Sequence, residues 1–169
     1  WTDRSDWYLA LPNVESPGIK IREGQLQIKR KDADLGPSVF ASGSVHGRLE
    51  AWSKWSLPAT ADAALWEDKP ADWIRIDKRL MLGRVPENER SPAACALELS
   101  QISLGGRHAW AICLEASSDD AQQRLQLLQE TATTLFQYGF PLADGLQAKA
   151  SFGYPHWIQR MLQRCPSSP

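Results

Sequence analysis

The amino-acid sequence predicts an α+β domain in which a twisted antiparallel sheet is followed by helices. Three observations predict it. Apolar and charged residues alternate at strand period from Ile19 to Lys29 and again from Val45 to Trp55, Trp73 to Leu82, Ala94 to Ile102 and His108 to Ala116. Glycine-containing turns separate several of these runs, at Glu23-Gly24 and Gly105-Gly106. Past Ser117 the period changes to that of a helix, closed by Gly139 and Pro141.

In order along the chain, Ile19 and Ile21 alternate with Lys20 and Arg22, and after the Glu23-Gly24 turn Leu26 and Ile28 alternate with Gln27 and Lys29. This reads as a hairpin with apolar residues on one face and cations on the other. Asp32 to Ser44, with Gly36, Pro37 and Gly43, reads as a loop. The next strand places His46, Arg48, Glu50, Trp52 and Lys54 on one face and Val45, Leu49, Ala51 and Trp55 on the other. Leu57 to Pro70 reads as a second loop. In the following strand Ile74, Ile76, Leu80 and Leu82 oppose Arg75, Asp77 and Arg79, and Lys78 falls on the apolar side, which predicts a bulge or a strand end there. Leu97 and Leu99 oppose Ala96, Glu98 and Ser100, and Trp110, Ile112 and Leu114 oppose Ala111, Cys113 and Glu115. Ser117-Ser118-Asp119 caps a helix running to about Tyr138, and a short last helix starts near Tyr154-Pro155 with Trp157, Ile158, Met161 and Leu162.

Composition bounds the function. The 169 residues fit one domain, 1–169, able to bury about two thirds of the unfolded surface. A formal net charge of -1 argues against bulk nucleic-acid binding, though a sum over the chain does not exclude a local positive pocket. Cys95, Cys113 and Cys165 form no metal-ligand spacing, and their odd number without a signal peptide predicts reduced thiols and a cytoplasmic setting. No apolar run approaches the length of a membrane span. The start at Trp1 rather than methionine reads as a processed or trimmed fragment.

The polar face has two readings. It is a solvated sheet surface, as antiparallel sheets commonly have, or the sheet curls and the face lines a lumen. Glu98 and Glu115 lie among alanine, serine and cysteine, which suits a confined interior, and cations outnumber carboxylates on the face. A lumen lined by Lys20, Arg22, Lys29, Arg48, Lys54 and Arg79 attracts a polyanion. Glu50, Glu98 and Glu115 repel that anion unless a divalent cation lies between, and magnesium favours a few carboxylates together with phosphate oxygens. His46 reads as a strand-end surface residue before an acid or base. Trp55, Trp110 and Trp157 fall on apolar faces and read as core, whereas Trp52 lies on the charged face and is the candidate for contacting an organic group.

Arg4-Ser5-Asp6-Trp7-Tyr8-Leu9, Ile19-Lys20-Ile21-Arg22 and Leu26-Gln27-Ile28-Lys29 resemble the D-x-Y, L-R-I-R and L-T-I-K succession of CYTH domains, the triphosphate tunnel metalloenzymes. Arg48-Leu49-Glu50, Asp77-Lys78-Arg79, Glu115-Ala116 and Ser151-Phe152-Gly153-Tyr154-Pro155-His156-Trp157 continue the likeness over nearly the whole chain. The resemblance implies an antiparallel eight-stranded (or near-eight) barrel or tunnel with the C-terminal helices packed outside. It also implies Mg2+ or Mn2+ and a small phosphorylated substrate. Lys20, Arg22, Lys29, Arg48, Lys54, Lys78 and Arg79 would grip phosphates, and Glu50, Glu98 and Glu115 would hold metal or orient water in catalysis. The family's E-x-E-x-K first strand has no counterpart from Trp1 onward, so it lies upstream or is lost from this branch. The expected activity is a metal-dependent phosphohydrolase acting on a triphosphate or polyphosphate. The alternatives are a non-catalytic polyphosphate- or nucleotide-binding module of the same fold, and an open sheet serving protein partners.

Overall fold

The computed structural model describes residues 1–11, 14, 16–40, 43, 45–58, 72–89, 91–137 and 146–163. Among the described residues there are seven strands: β1 (Thr2–Leu9), β2 (Gly18–Arg22), β3 (Gln25–Phe40), β4 (Val45–Pro58), β5 (Trp73–Pro86), β6 (Ala94–Leu104) and β7 (Arg107–Ser117). Two helices follow, α1 (Ala121–Gln137) and α2 (Tyr154–Gln163), with a 3-10 turn at Ala148–Ala150 between them. The strands form one antiparallel sheet in the order β4-β3-β2-β1-β5-β6-β7.

The local chemistry matches the predicted hairpins. Glu23 and Gly24 both take positive φ (49° and 71°), as do Gly105 and Gly106 (55° and 77°), the conformation that two-residue hairpin turns require. Asp120, one residue later than predicted, caps α1 by accepting a 2.7 Å hydrogen bond from the Gln123 amide.

Two predicted features differ. The segment 32–44 is not all loop: β3 runs to Phe40, opposite β4, and absorbs its turn-like residues in two register shifts, between Lys31 and Ala33 and between Asp34 and Gly36. Gly36, at φ 87°, supplies the left-handed backbone at the second shift. Lys78 needs no bulge. Its register with β1 and β6 is unbroken, and it sits on the apolar side because a buried carboxylate waits there. Residues 59–71, most of the second predicted loop, lie outside the described residues, as do Gly139, Pro141 and Cys165.

The sheet curls into a half-barrel but does not close as an eight-stranded tunnel. Among the described residues β4 and β7 are its two edges, and they are not paired with each other. The seam is bridged by α1, whose Ala132 and Phe136 pack against Val45 of β4, Phe40 of β3, and Ile112 and Leu114 of β7. Side-chain burial therefore joins the edges where backbone hydrogen bonds do not. Further along, Leu127 of α1 covers Ala93 and Cys95.

Only α1 packs outside, contrary to the expectation for both helices. α2 seats in the concavity, where Trp157 and Ile158 bury against Tyr8, Ile76 and Ile102, with Ile74, Ala109 and Ala111 around them. The sequence pattern explains this. At the β2-proximal end of β5 to β7 the concave face is apolar or small (Ile74, Ile76, Ile102, Ala109, Ala111), so it needs a cover. Gly18 lets the helix start approach: a Cβ there would lie 2.8 Å from Pro155 Cγ. No described helix is long and apolar enough to cross a membrane.

Candidate anion-binding groove

Residues opposite one another in register share a sheet face. The pairings Tyr8 with Lys20 and Ile74, Arg4 with Lys78, Lys20 with Gln27, and Lys29 with Lys54 put Arg4, Asp6, Lys20, Arg22, Lys29, Lys31, Lys54 and Lys78 on the concave face. Leu82 opposite Glu98, Glu98 opposite Cys113 and Ala96 opposite Glu115 add both glutamates to it. Glu50 and Trp52 join from β4.

The centre of the face is Asp6, fully buried at 0% exposure. Its carboxylate lies 3.1 Å from Lys20 Nζ, 3.1 Å from Arg22 Nη2, 3.2 Å from Arg4 Nε and 3.2 Å from Lys78 Nζ. Burial alone would raise the pKa of Asp6, but hydrogen bonds from Arg22 and the charges of Lys78 and Lys20 outweigh it and hold the carboxyl well below its usual range. Glu98, 3.9 Å from Arg4 Nη2, is the second carboxylate within ion-pair range, so two carboxylates face four cations. Burial lowers Lys20 to about 7 and Lys78 to about 8, against the pull of Asp6. Lys78 also rests 3.5 Å from the Tyr154 ring centroid, a cation–π contact in a desolvated site. Nε and Nη2 of Arg4 are buried without a hydrogen-bond partner, although Nε is within ion-pair range of Asp6.

The three predicted glutamates are present on the face but do not converge. Glu50 accepts from Lys31 Nζ (2.7 Å) and Trp52 Nε1 (3.0 Å). Glu98 accepts from the Tyr154 hydroxyl at 2.9 Å, and Glu115 accepts from Lys29 Nζ at 2.8 Å. Among the described residues no three His, Cys, Asp or Glu side chains are grouped to hold a metal ion. The three carboxylates face three different donors and do not form one ligand group, so the set as arranged does not fit a divalent cation.

Of the predicted phosphate-gripping residues, Lys20, Arg22, Lys29, Lys54 and Lys78 lie together on the concave face. Arg48 stands at its far end, gripping Asp34 beside a cleft of about 290 Å³ lined also by Lys31, Glu50, Trp52, Phe152 and His156. Arg79 does not belong to the site. It points from the convex face, where its guanidinium lies 5.5 Å from the Trp1 ring centroid, because strand alternation places it opposite to Lys78. His46 is exposed, as expected of a strand-end residue. Trp157 is core, but Trp55 and Trp110 are 47% and 55% exposed, since the convex face they occupy is covered by α1 over only part of its area.

The central residues missed by pattern reading are Asp6 and Arg4. Both sit on β1, where Arg4, Asp6 and Tyr8 recur at strand period. Trp7 and Leu9 intervene, so apolar and polar positions do not separate cleanly. Comparison with protein-family models, curated proteins and solved structures found no match to this chain.

The low lysine values set a pH response. In the unfolded chain both lysines titrate near 10.5, whereas folded Lys20 and Lys78 release their protons at about 7 and 8. Between these limits the unfolded state binds more protons, so stability rises with pH from about 7 toward 10. The melting temperature should increase by roughly 10 °C between pH 6.5 and pH 9. A flat or falling profile would mean that the two lysines keep their charges in the fold.

Proposed function

We propose that the concave face binds a phosphorylated anion, as a binding module rather than by a metal-assisted reaction. The observation that carries this reading is the cluster of four cations, Arg4, Lys20, Arg22 and Lys78, around Asp6, with Glu98 at 3.9 Å from Arg4 as the one further carboxylate in ion-pair range among the described residues. The chain as a whole holds 19 Lys and Arg against 20 Asp and Glu, so the surplus is local: on the concave face Arg4, Lys20, Arg22, Lys29, Lys31, Lys54 and Lys78 outnumber Asp6, Glu50, Glu98 and Glu115. Charge gathered on a concave, partly desolvated wall raises the local potential and draws anions in. Lys29, Lys54 and Arg22 are the accessible donors, and the buried Lys20 and Lys78 supply field from beneath. The resemblance of the Lys20 to Lys29 stretch to phosphate-binding strands points to the same ligand chemistry.

Thermal melting with tripolyphosphate tests the proposal. At about a hundred times its dissociation constant the ligand should add roughly 2.7 kcal/mol, about 5–10 °C for a chain of this size. The shift should shrink between about 50 and 300 mM salt, because the accessible donors are screened. No shift at millimolar tripolyphosphate and low salt would remove the anion site. A gain in affinity with added magnesium would return metal to the site and with it the hydrolase.

A further inference from the structure

β3 and β7 stand five places apart in the sheet, yet Lys29 Nζ of β3 and Glu115 Oε2 of β7 meet at 2.8 Å across the concavity. Both side chains are open to solvent, at 35% and 59% exposure, so the pair is not part of the packed core. Lys54 is opposite Lys29 in the β3–β4 register, is exposed, and has no ion-pair partner among the described residues. Lys29, Lys54 and Lys20 all act on the Glu115 carboxyl and hold it below its ordinary value, against the partial desolvation a carboxyl meets inside the concavity even at 59% exposure. A carboxylate thus occupies the position that an anion entering the groove would take.

We infer that Glu115 is a built-in competitor that occupies Lys29 until a multiply charged anion displaces it, so the groove selects polyanions over singly charged ones. This rests on the anion-binding reading above and adds a ligand class to it. A solvent-exposed lysine–carboxylate pair is weak, so displacement is cheap for a ligand that can bridge two ammonium groups. Lys29 and Lys54, as direct cross-strand neighbours, have Cβ atoms about 4.5–5.5 Å apart, within the span of linked phosphates. Acetate or chloride offers one charge and gains little over the carboxylate already present. After displacement Glu115 turns to solvent, which its exposure allows.

Calorimetric titration of the wild type, Glu115→Gln and Asp3→Asn tests the competition. Asp3 is exposed on the convex face, so its variant makes the same change in net charge away from the groove. Glu115→Gln should tighten tripolyphosphate binding by about three- to tenfold and bring orthophosphate binding into the measurable range, with Asp3→Asn within twofold of wild type. Equal tightening in both variants would show a bulk charge effect and overturn the competitor role. Wild-type binding unchanged by Glu115→Gln would overturn it as well, while leaving the anion site standing. Failure of all three proteins to bind tripolyphosphate would remove the anion site and the competitor together.

Discussion

Replacing Asp6 by Asn should cost about 3–5 kcal/mol and lower the melting temperature by roughly 10–15 °C at pH 6. Asparagine keeps the shape of the side chain, so no cavity forms. What it removes is the negative charge shared by Arg4, Lys20, Arg22 and Lys78, all of which are largely withdrawn from water, and leaves them only Glu98, 3.9 Å from Arg4. Uncompensated burial of like charges is among the largest single-site penalties in proteins. The two lysines have an escape that the arginines lack: they can deprotonate. The loss should therefore be smaller at pH 9 than at pH 6. A variant as stable as wild type at both values would show that Asp6 is not the electrostatic centre of the sheet.

Trp157→Ala should be comparably severe, at about 3–5 kcal/mol, for a different reason. The indole is 7% exposed and fills the concave side of the half-barrel against Tyr8, Ile76 and Ile102. Truncation opens a void that a curled sheet, held by continuous hydrogen bonding, cannot collapse to fill. The variant should also loosen the hydrogen bonds of Tyr154 with Glu98 and Ser100, at 2.9 and 3.2 Å, since the same helix carries both residues. A destabilisation below about 1 kcal/mol on denaturant melts would mean that α2 rests on the barrel instead of filling it.

How legible the fold is from sequence differs by element. The β2–β3 hairpin, β4 to β7 and both helices stand in the sequence because period and turn chemistry agree: alternation alone puts Lys20, Arg22, Glu98 and Glu115 on a common face. β1 is obscured because Trp7 and Leu9 are apolar on its convex side while Tyr8 is apolar on its concave side. The run 32–40 reads like a loop because bulged strands use the glycine and proline of turns. Lys78 and Arg79 show the harder limit. Alternation assigns them to opposite faces, but only the tertiary position of Asp6 makes an inward lysine acceptable and leaves the arginine outside. Closure is likewise not readable. Whether two edge strands pair or are bridged by a helix depends on curvature, and curvature is a property of the whole sheet. The same applies to the glutamates: period places three on one face, but only the fold hands each to a separate donor, Lys31, Tyr154 and Lys29.

If the concave face is the anion site, a titration with tripolyphosphate on two matched double variants separates it from the rest of the surface. Lys29→Gln with Lys54→Gln removes two positive charges from the groove, and Arg75→Gln with Arg79→Gln removes two from the convex face. Removing two charge-assisted hydrogen bonds to the ligand should weaken binding on the order of 30- to 100-fold in the groove variant, with the convex variant within about threefold of wild type. Equal weakening in both, or a weakening confined to the convex variant, would place the anion site outside the concave face.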